Sequence, residues 1–356
     1  MKLNSSGENR PLPAISGQAY ERPPTRLIAR YVAEIQLATL VALLDALEAS
    51  RPGSASLDRA VILMVIMRAS LQLDRTASDG ELLPDDEAPD AAISVNAIAA
   101  SLGRPFETVR RHANAMVADG LCKRTKRGIT LQIKSQCRPE MCAAIRKIHD
   151  LMVRLIDYAV AHEVPMPAAR ASTSYNPNAT VVAALDLMLA AAEYLHAYYA
   201  DWLEMFAVNA VLVANARPVT FNPVLARRYA NNETIPPVSL RTPVAVADIA
   251  RALRVPYSTL QREVNRSIDR GQLRRAHGGI LITDAQIAAA AVNAAGPIAS
   301  ARAMRAFGRL SQGGFPFDDP VSCYLIGPPP LLDFGLGQPD CPTDRMVTHE
   351  APAADN

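Results

Sequence analysis

What this 356-residue chain lacks narrows its chemistry first. Aromatic residues make up 5% of it, with a single Trp. The five cysteines, Cys122, Cys137, Cys142, Cys323 and Cys341, form no Cys-x-x-Cys pair and no His-linked metal spacing. They read as free thiols of a reducing compartment, with a zinc site on Cys137, Cys142 and a distant His as the minor alternative. There is no HExxH, no GxSxG, no phosphate loop and no dinucleotide fingerprint. The histidines, His112, His149, His162, His196, His277 and His349, pair with no nucleophile at a recognisable spacing. No catalytic residue, metal or cofactor is therefore expected. The opening "MKLNSSGENRPLPAISG" lacks the apolar core of a signal peptide. The apolar run "AVILMVIM" at 60–67 is too short for a bilayer, which takes about 20 residues. The expectation is a protein of the cytoplasm, at the nucleoid, without a membrane partner.

What is present is 49% hydrophobic and 20% charged, an ordinary globular composition, at a length that suits about two domains. Abundant Ala, with Leu and Met, predicts a mainly α fold. Residues 1–24 and 311–356, rich in Pro and Gly, are expected to be disordered, the second stretch with seven acids against one Arg. Helices are expected at about 25–49, 57–73, 139–161 and 284–310, the last kinked at Gly296-Pro297, with one or two more over 180–216. An acidic loop, "DRTASDGELLPDDEAPDA", comes directly after the second of these helices. Tyr194, Tyr198, Trp202 and Phe206 fall at i, i+4, i+8, i+12 spacing and read as a core or contact stripe on one helix.

The chain also carries one unit twice. "IAASLGRPFETVRRHANAMVADGL" begins at Ile98 and "IARALRVPYSTLQREVNRSIDRGQL" at Ile249. At an offset of 151, Ile98/Ile249, Leu102/Leu253, Pro105/Pro256, Thr108/Thr259, Arg111/Arg262, Asn114/Asn265 and Gly120/Gly271 are identical. Each copy reads as a short helix, a tight break, a second helix closed by Gly120 or Gly271, and two short strands joined by a basic turn. Each copy is also a basic island. Gly103 to Lys134 holds eight Lys/Arg against two acids, and Arg251 to His277 seven against two. Since the whole chain nets +2, the remainder is acidic. Two basic islands in an acidic chain point to a polyanion.

These motifs resemble the DNA-binding unit of bacterial winged helix-turn-helix regulators of the GntR, IclR and MarR kind, with the pattern I-A-x-x-L-x-x-(S/P)-x-x-T-V-x-R…G-L. The second copy has Leu260 for the Val and Gln272 for the final Leu. The resemblance covers about 80 residues and implies two winged helix-turn-helix lobes, cores 92–133 and 243–283, joined by long helices within parts 25–163 and 179–310.

An α-helix fits the major groove of B-DNA, so the second helix of each unit must show polar side chains opposite its buried stripe. In the first copy that face is Glu107, Arg110, Arg111 and Asn114, and in the second Ser258, Gln261, Arg262 and Asn265. Arg suits guanine; Asn and Gln suit adenine. Thr108 and Thr259 fall at the helix N-terminus, where a phosphate can be held. The hairpins offer Lys123, Arg124, Lys126 and Arg127, then Arg274, Arg275 and His277, for the minor groove or flanking phosphates. The expected function is sequence-specific binding of double-stranded DNA, hence transcriptional regulation, by one chain or a homodimer. Two alternatives stand beside it: a plasmid-type replication initiator, and a tandem winged-helix interaction factor of the chromosome-segregation kind.

Overall fold

The computed structural model describes residues 20, 22–72, 92–132, 138–168, 175–195 and 198–336. The described residues are mainly α, with 65% of them helical in 12 helices. The first half runs α1 (Thr25–Ser50), α2 (Leu57–Gln72), α3 (Val95–Leu102), α4 (Phe106–Ala118), β1 (Cys122–Thr125), β2 (Gly128–Leu131) and α5 (Pro139–Ala161). The second runs α6 (Pro177–Leu195), α7 (Trp202–Thr220), α8 (Pro223–Arg228), α9 (Val246–Ala252), α10 (Tyr257–Asp269), β3 (Leu273–Ala276), β4 (Gly279–Ile282), α11 (Asp284–Ala288) and α12 (Ala290–Gln312). The repeat is larger than its legible core. The pairs α4/α10, β1/β3, β2/β4 and α5/α12 all keep the 151-residue offset at both ends.

The small units repeat in atomic detail. Gly120 and Gly271 take left-handed φ of 72° and 74°, ending α4 and α10 with the same pair of backbone bonds. Leu121 N–H donates to Met116 C=O at 3.0 Å, and Gln272 N–H to Ser267 C=O at 2.9 Å. Ser94 caps α3 by accepting from Ala97 N–H at 3.1 Å. Behind each hairpin a single residue, Ile93 or Val244, bridges to Ile129 or Ile280. A Cβ on Gly128 would sit 2.3 Å from Ile93 O, and one on Gly279 2.3 Å from Val244 O. Both glycines are thus required by close backbone approach. The fourteenth residue of the preceding long helix holds each hairpin from behind. Ser70 Oγ accepts from Leu131 N–H at 2.9 Å. Asn215 Oδ1 accepts from Ile282 N–H at 2.8 Å.

The long helices of the two halves interdigitate into one core. α1 packs on α5 and on α12, α6 on α12 and on α5, α2 on α6, and α7 on α1. Each of these contacts between halves has its reciprocal, as in a two-fold dimer made from one chain. At the centre Tyr31 of α1 stacks on Tyr158 of α5, ring centroids 4.0 Å apart, with Phe221 edge-on to both. Glu34 of α1 and Arg217 of α7 form a buried two-pronged pair at 2.8 and 3.1 Å. α1 and α6 carry windows long and apolar enough to cross a bilayer, and 78% and 61% of those windows are buried among the other helices. A helix packed against neighbours on most of its circumference is apolar over most of it for that reason.

Three expectations change. Residues 311–336 are not disordered. Phe315, Phe317, Leu331, Leu332 and Phe334 are buried in the core. The buried Asp150 accepts backbone N–H groups of Leu325, Ile326 and Gly327 at 2.9, 2.9 and 3.2 Å, and Arg154 donates to Pro329 C=O. Beyond α12, Gly and Pro confine regular structure there to a 3-10 turn at Pro320–Cys323, but spaced aromatic and Leu side chains still supply burial. Second, the aromatic stripe is split. Asp201 caps α7, accepting from Glu204 N–H at 2.9 Å, so Tyr194 belongs to α6 while Trp202 and Phe206 belong to α7. Third, the last helix breaks at extended Ala289, and Pro297 is accommodated inside α12. Residues 1–19, 73–91 and 337–356, on which the N-terminal, acidic-loop and far C-terminal expectations fall, lie outside the described residues.

Candidate nucleic-acid interface

Short breaks, residues 103–105 and 253–256, set α4 against α3 and α10 against α9. Val109, Ala113 and Met116 bury one face of α4; Leu260, Val264 and Ser267 bury the same face of α10. The opposite face must then point outward. Glu107, Arg110 and Arg111 are exposed, with Asn114 and Thr108 partly buried. On α10, Ser258, Arg262 and Asn265 are exposed, with Thr259 and Gln261 partly buried. On the hairpins Arg124, Lys126, Arg127, Arg274, Arg275 and His277 are exposed, and Lys123 is partly buried.

The helix and hairpin of each unit are joined by one contact that repeats. Arg124 donates to Asn114 Oδ1, and 151 residues on Arg275 donates to Asn265 Oδ1 at 2.7 Å. These residues form a continuous Arg–Asn surface in each unit, rather than a reading helix and a separate basic arm. An amide whose oxygen is held by a guanidinium presents its N–H donors in a fixed direction.

The two faces carry the same net charge but pair their polar groups differently. Glu107 accepts two bonds from Arg110, at 2.8 and 2.7 Å. These bonds hold the Glu107 carboxyl below its ordinary range and raise the Arg110 guanidinium. The net positive charge of that stretch therefore comes from Arg111 and the hairpin. On the second face a neutral relay runs beside the exposed Arg262: Tyr257 Oη donates to Gln261 Oε1 at 2.7 Å, and Gln261 Nε2 to Asn265 Oδ1 at 3.1 Å.

Phe106 and Tyr257 were not singled out by sequence pattern. Each is the first residue of its unit's second helix, 151 positions apart, and they are 46% and 54% exposed. Large exposed hydrophobics at one repeated place in a chain this poor in aromatics were the available signal.

Arg104, in the turn before α4, lies 5.0 Å over the Trp202 ring at the start of α7. Arg254, before α10, pairs with Asp45 of α1 at 2.7 Å. Each unit is thus tied to the other half of the core. Arg254 has φ 53°, matching Gly103 at 59°, its counterpart in the first turn. Among the described residues no cluster of His, Cys, Asp and Glu could hold a metal. Cys122, Cys142 and Cys323 are free thiols, and burial pushes the Cys122 thiol up to about 12. No protein-family model matches the chain, and no curated protein or solved structure matches it.

Proposed function

We propose that the chain is a sequence-specific double-stranded DNA-binding protein and a transcriptional regulator, with both repeated units acting as winged helix-turn-helix modules. The observation that carries this reading is the recurrence, at one offset, of an outward polar helix face joined to a basic hairpin through Arg124–Asn114 and Arg275–Asn265. A core needs no such exposed duplication, whereas two successive major-groove turns do. In this reading α4 and α10 enter the grooves. Arg111, Arg262, Asn114, Asn265 and Gln261 meet base edges. Phe106 and Tyr257 lie where a thymine methyl or a sugar can pack. Lys126, Arg127 and Arg274 neutralise backbone phosphates.

The interlocked halves do the work of a dimer's two subunits. Unlike a dimer, their reading faces differ: Glu107 and Arg110 against Ser258 and Gln261. The expected target is a pair of related but unequal half-sites about 10 base pairs apart, or a multiple of that.

Titration of labelled duplex at several salt concentrations should give log K against log salt with a slope of about −5 to −7. Against the wild-type footprint, an Arg110/Arg111 double mutant and a Gln261/Arg262 double mutant should each lose a different half. A flat salt response, or no binding at low salt, would overturn the reading. Loss of footprint from only one unit's mutations would make the other a protein-binding surface.

A further inference from the structure

A cavity of about 180 Å³ lies between α1, α6, α7, α12 and the connector through Asn232 and Arg241. Its walls are mainly Ala, Val, Leu and Ile side chains. Four arginines line it, Arg26, Arg30, Arg241 and Arg302, and no carboxylate does. Arg241 is already paired, with Asp284. Arg26 and Arg30, one helical turn apart on α1, donate to neutral acceptors: Asn232 Oδ1 and Thr234 O for Arg26, Tyr229 O and Ala226 O for Arg30. Arg30 Nε is buried with no hydrogen-bond partner. Burial pushes the Arg30 guanidinium down to about 10; Tyr158 and Tyr20 oppose the shift, and Arg26 adds to it.

A cation desolvated without a counter-charge is costly, and an anion entering beside it removes that cost. A cavity of about 150 Å³ lined by apolar side chains accepts benzene. The space here is of that order, so a nucleotide is too large and an inorganic ion would leave the apolar walls unused. We propose that this cavity is a binding site for a small apolar carboxylate, of about the size of benzoate, with its carboxylate against Arg26 and Arg30 and its body among the α6, α7 and α12 side chains. Asn215 and Arg241 line the same cavity and hold the backbone of β4, so the site adjoins the second unit's hairpin. The proposal does not depend on the DNA reading, since its test needs no nucleic acid.

Calorimetry on the full chain with benzoate, benzyl alcohol and benzylamine is the experiment. Benzoate should bind, benzyl alcohol should bind about tenfold more weakly, and benzylamine not at all. Arg30→Gln should bring benzoate down to the level of the alcohol. Ala216→Leu, which fills the space from α7, should abolish both, with circular dichroism checking that each variant folds. Equal binding of benzoate and benzyl alcohol would overturn the proposal, because the arginines would then contribute nothing. So would the absence of benzoate binding to the wild type, or benzoate affinity unchanged by Ala216→Leu. If Arg30→Gln does not fold, the alcohol comparison and Ala216→Leu still decide.

Discussion

Asp119 and Arg270 stand at the same place in the two repeats, directly after the second helix of each unit, and carry opposite charges. Their partners are exchanged in the same way. Asp119 accepts from Arg59, the third residue of α2, at 2.5 Å. Arg270 donates to Glu204, the third residue of α7. Burial by itself would raise the Asp119 carboxyl, but hydrogen bonds and charges from Arg59 and Arg51 together hold it below its ordinary value. With the halves interlocked, opposite polarity makes a swapped pairing repulsive: Arg59 would face Arg270, and Glu204 would face Asp119. Arg59→Ala should cost about 2 kcal/mol in urea unfolding, since it removes the buried partner of a buried carboxylate and leaves it only the exposed Arg51. Arg59→Glu with Asp119→Arg, which installs the second unit's polarity in the first, should recover more than half of that. A double mutant no more stable than the single Arg59→Glu would sink the equivalence.

The shared Arg–Asn contact predicts coupling on DNA. Asn265→Ala and Arg275→Ala should each weaken a cognate duplex, and together by clearly less than the sum, because either change dismantles the same surface. Additive losses would mean that helix and hairpin act separately.

Phe106→Ala and Tyr257→Ala should leave the melting temperature nearly unchanged, since both side chains are about half exposed. Each should weaken DNA binding by about 1 kcal/mol, roughly fivefold, if it packs on a base or sugar. Unchanged affinity in both variants would remove these residues from the interface.

Residues 311–336 should be required for stability. Asp150→Ala leaves three backbone N–H groups without their acceptor, at about 1–3 kcal/mol for each one that stays buried. Limited proteolysis should then cut near residues 320–330 before anywhere in α12. A chain ending at Leu310 that melts like the wild type would contradict the packed arrangement.

His162 sets a pH dependence. Burial, helped by the Arg30 and Arg227 charges, lowers it from 6.5 to about 4. The folded state therefore favours the neutral imidazole. The contribution is full above pH 6.5 and is lost as pH falls through about 4. That gap corresponds to roughly 3 kcal/mol. His162→Gln should be less stable at pH 7.5 yet flatter between pH 7 and 4; an unchanged slope would show that other groups dominate.

The sequence by itself determined the local pieces. Periodic apolar residues placed α1, α2 and α5 to within a residue or so, and Gly120 and Gly271 marked helix ends, because left-handed turns depend on a few adjacent residues. Recurrence at one offset exposed the duplicated unit, since both copies retain the residues that their turns and buried stripes require. The larger repeat was not legible. α5 and α12 match in position but hardly in sequence, because a buried helix needs only apolar volume and many sequences supply it. The course of residues 311–336 was decided by Asp150 and Arg154, more than 100 positions earlier, and no local pattern records such a partner. The same holds for the interlocking of the halves, the charge-exchanged pairs and the arginine-lined cavity. Each arises where segments far apart in the chain meet, and only the tertiary structure brings them together.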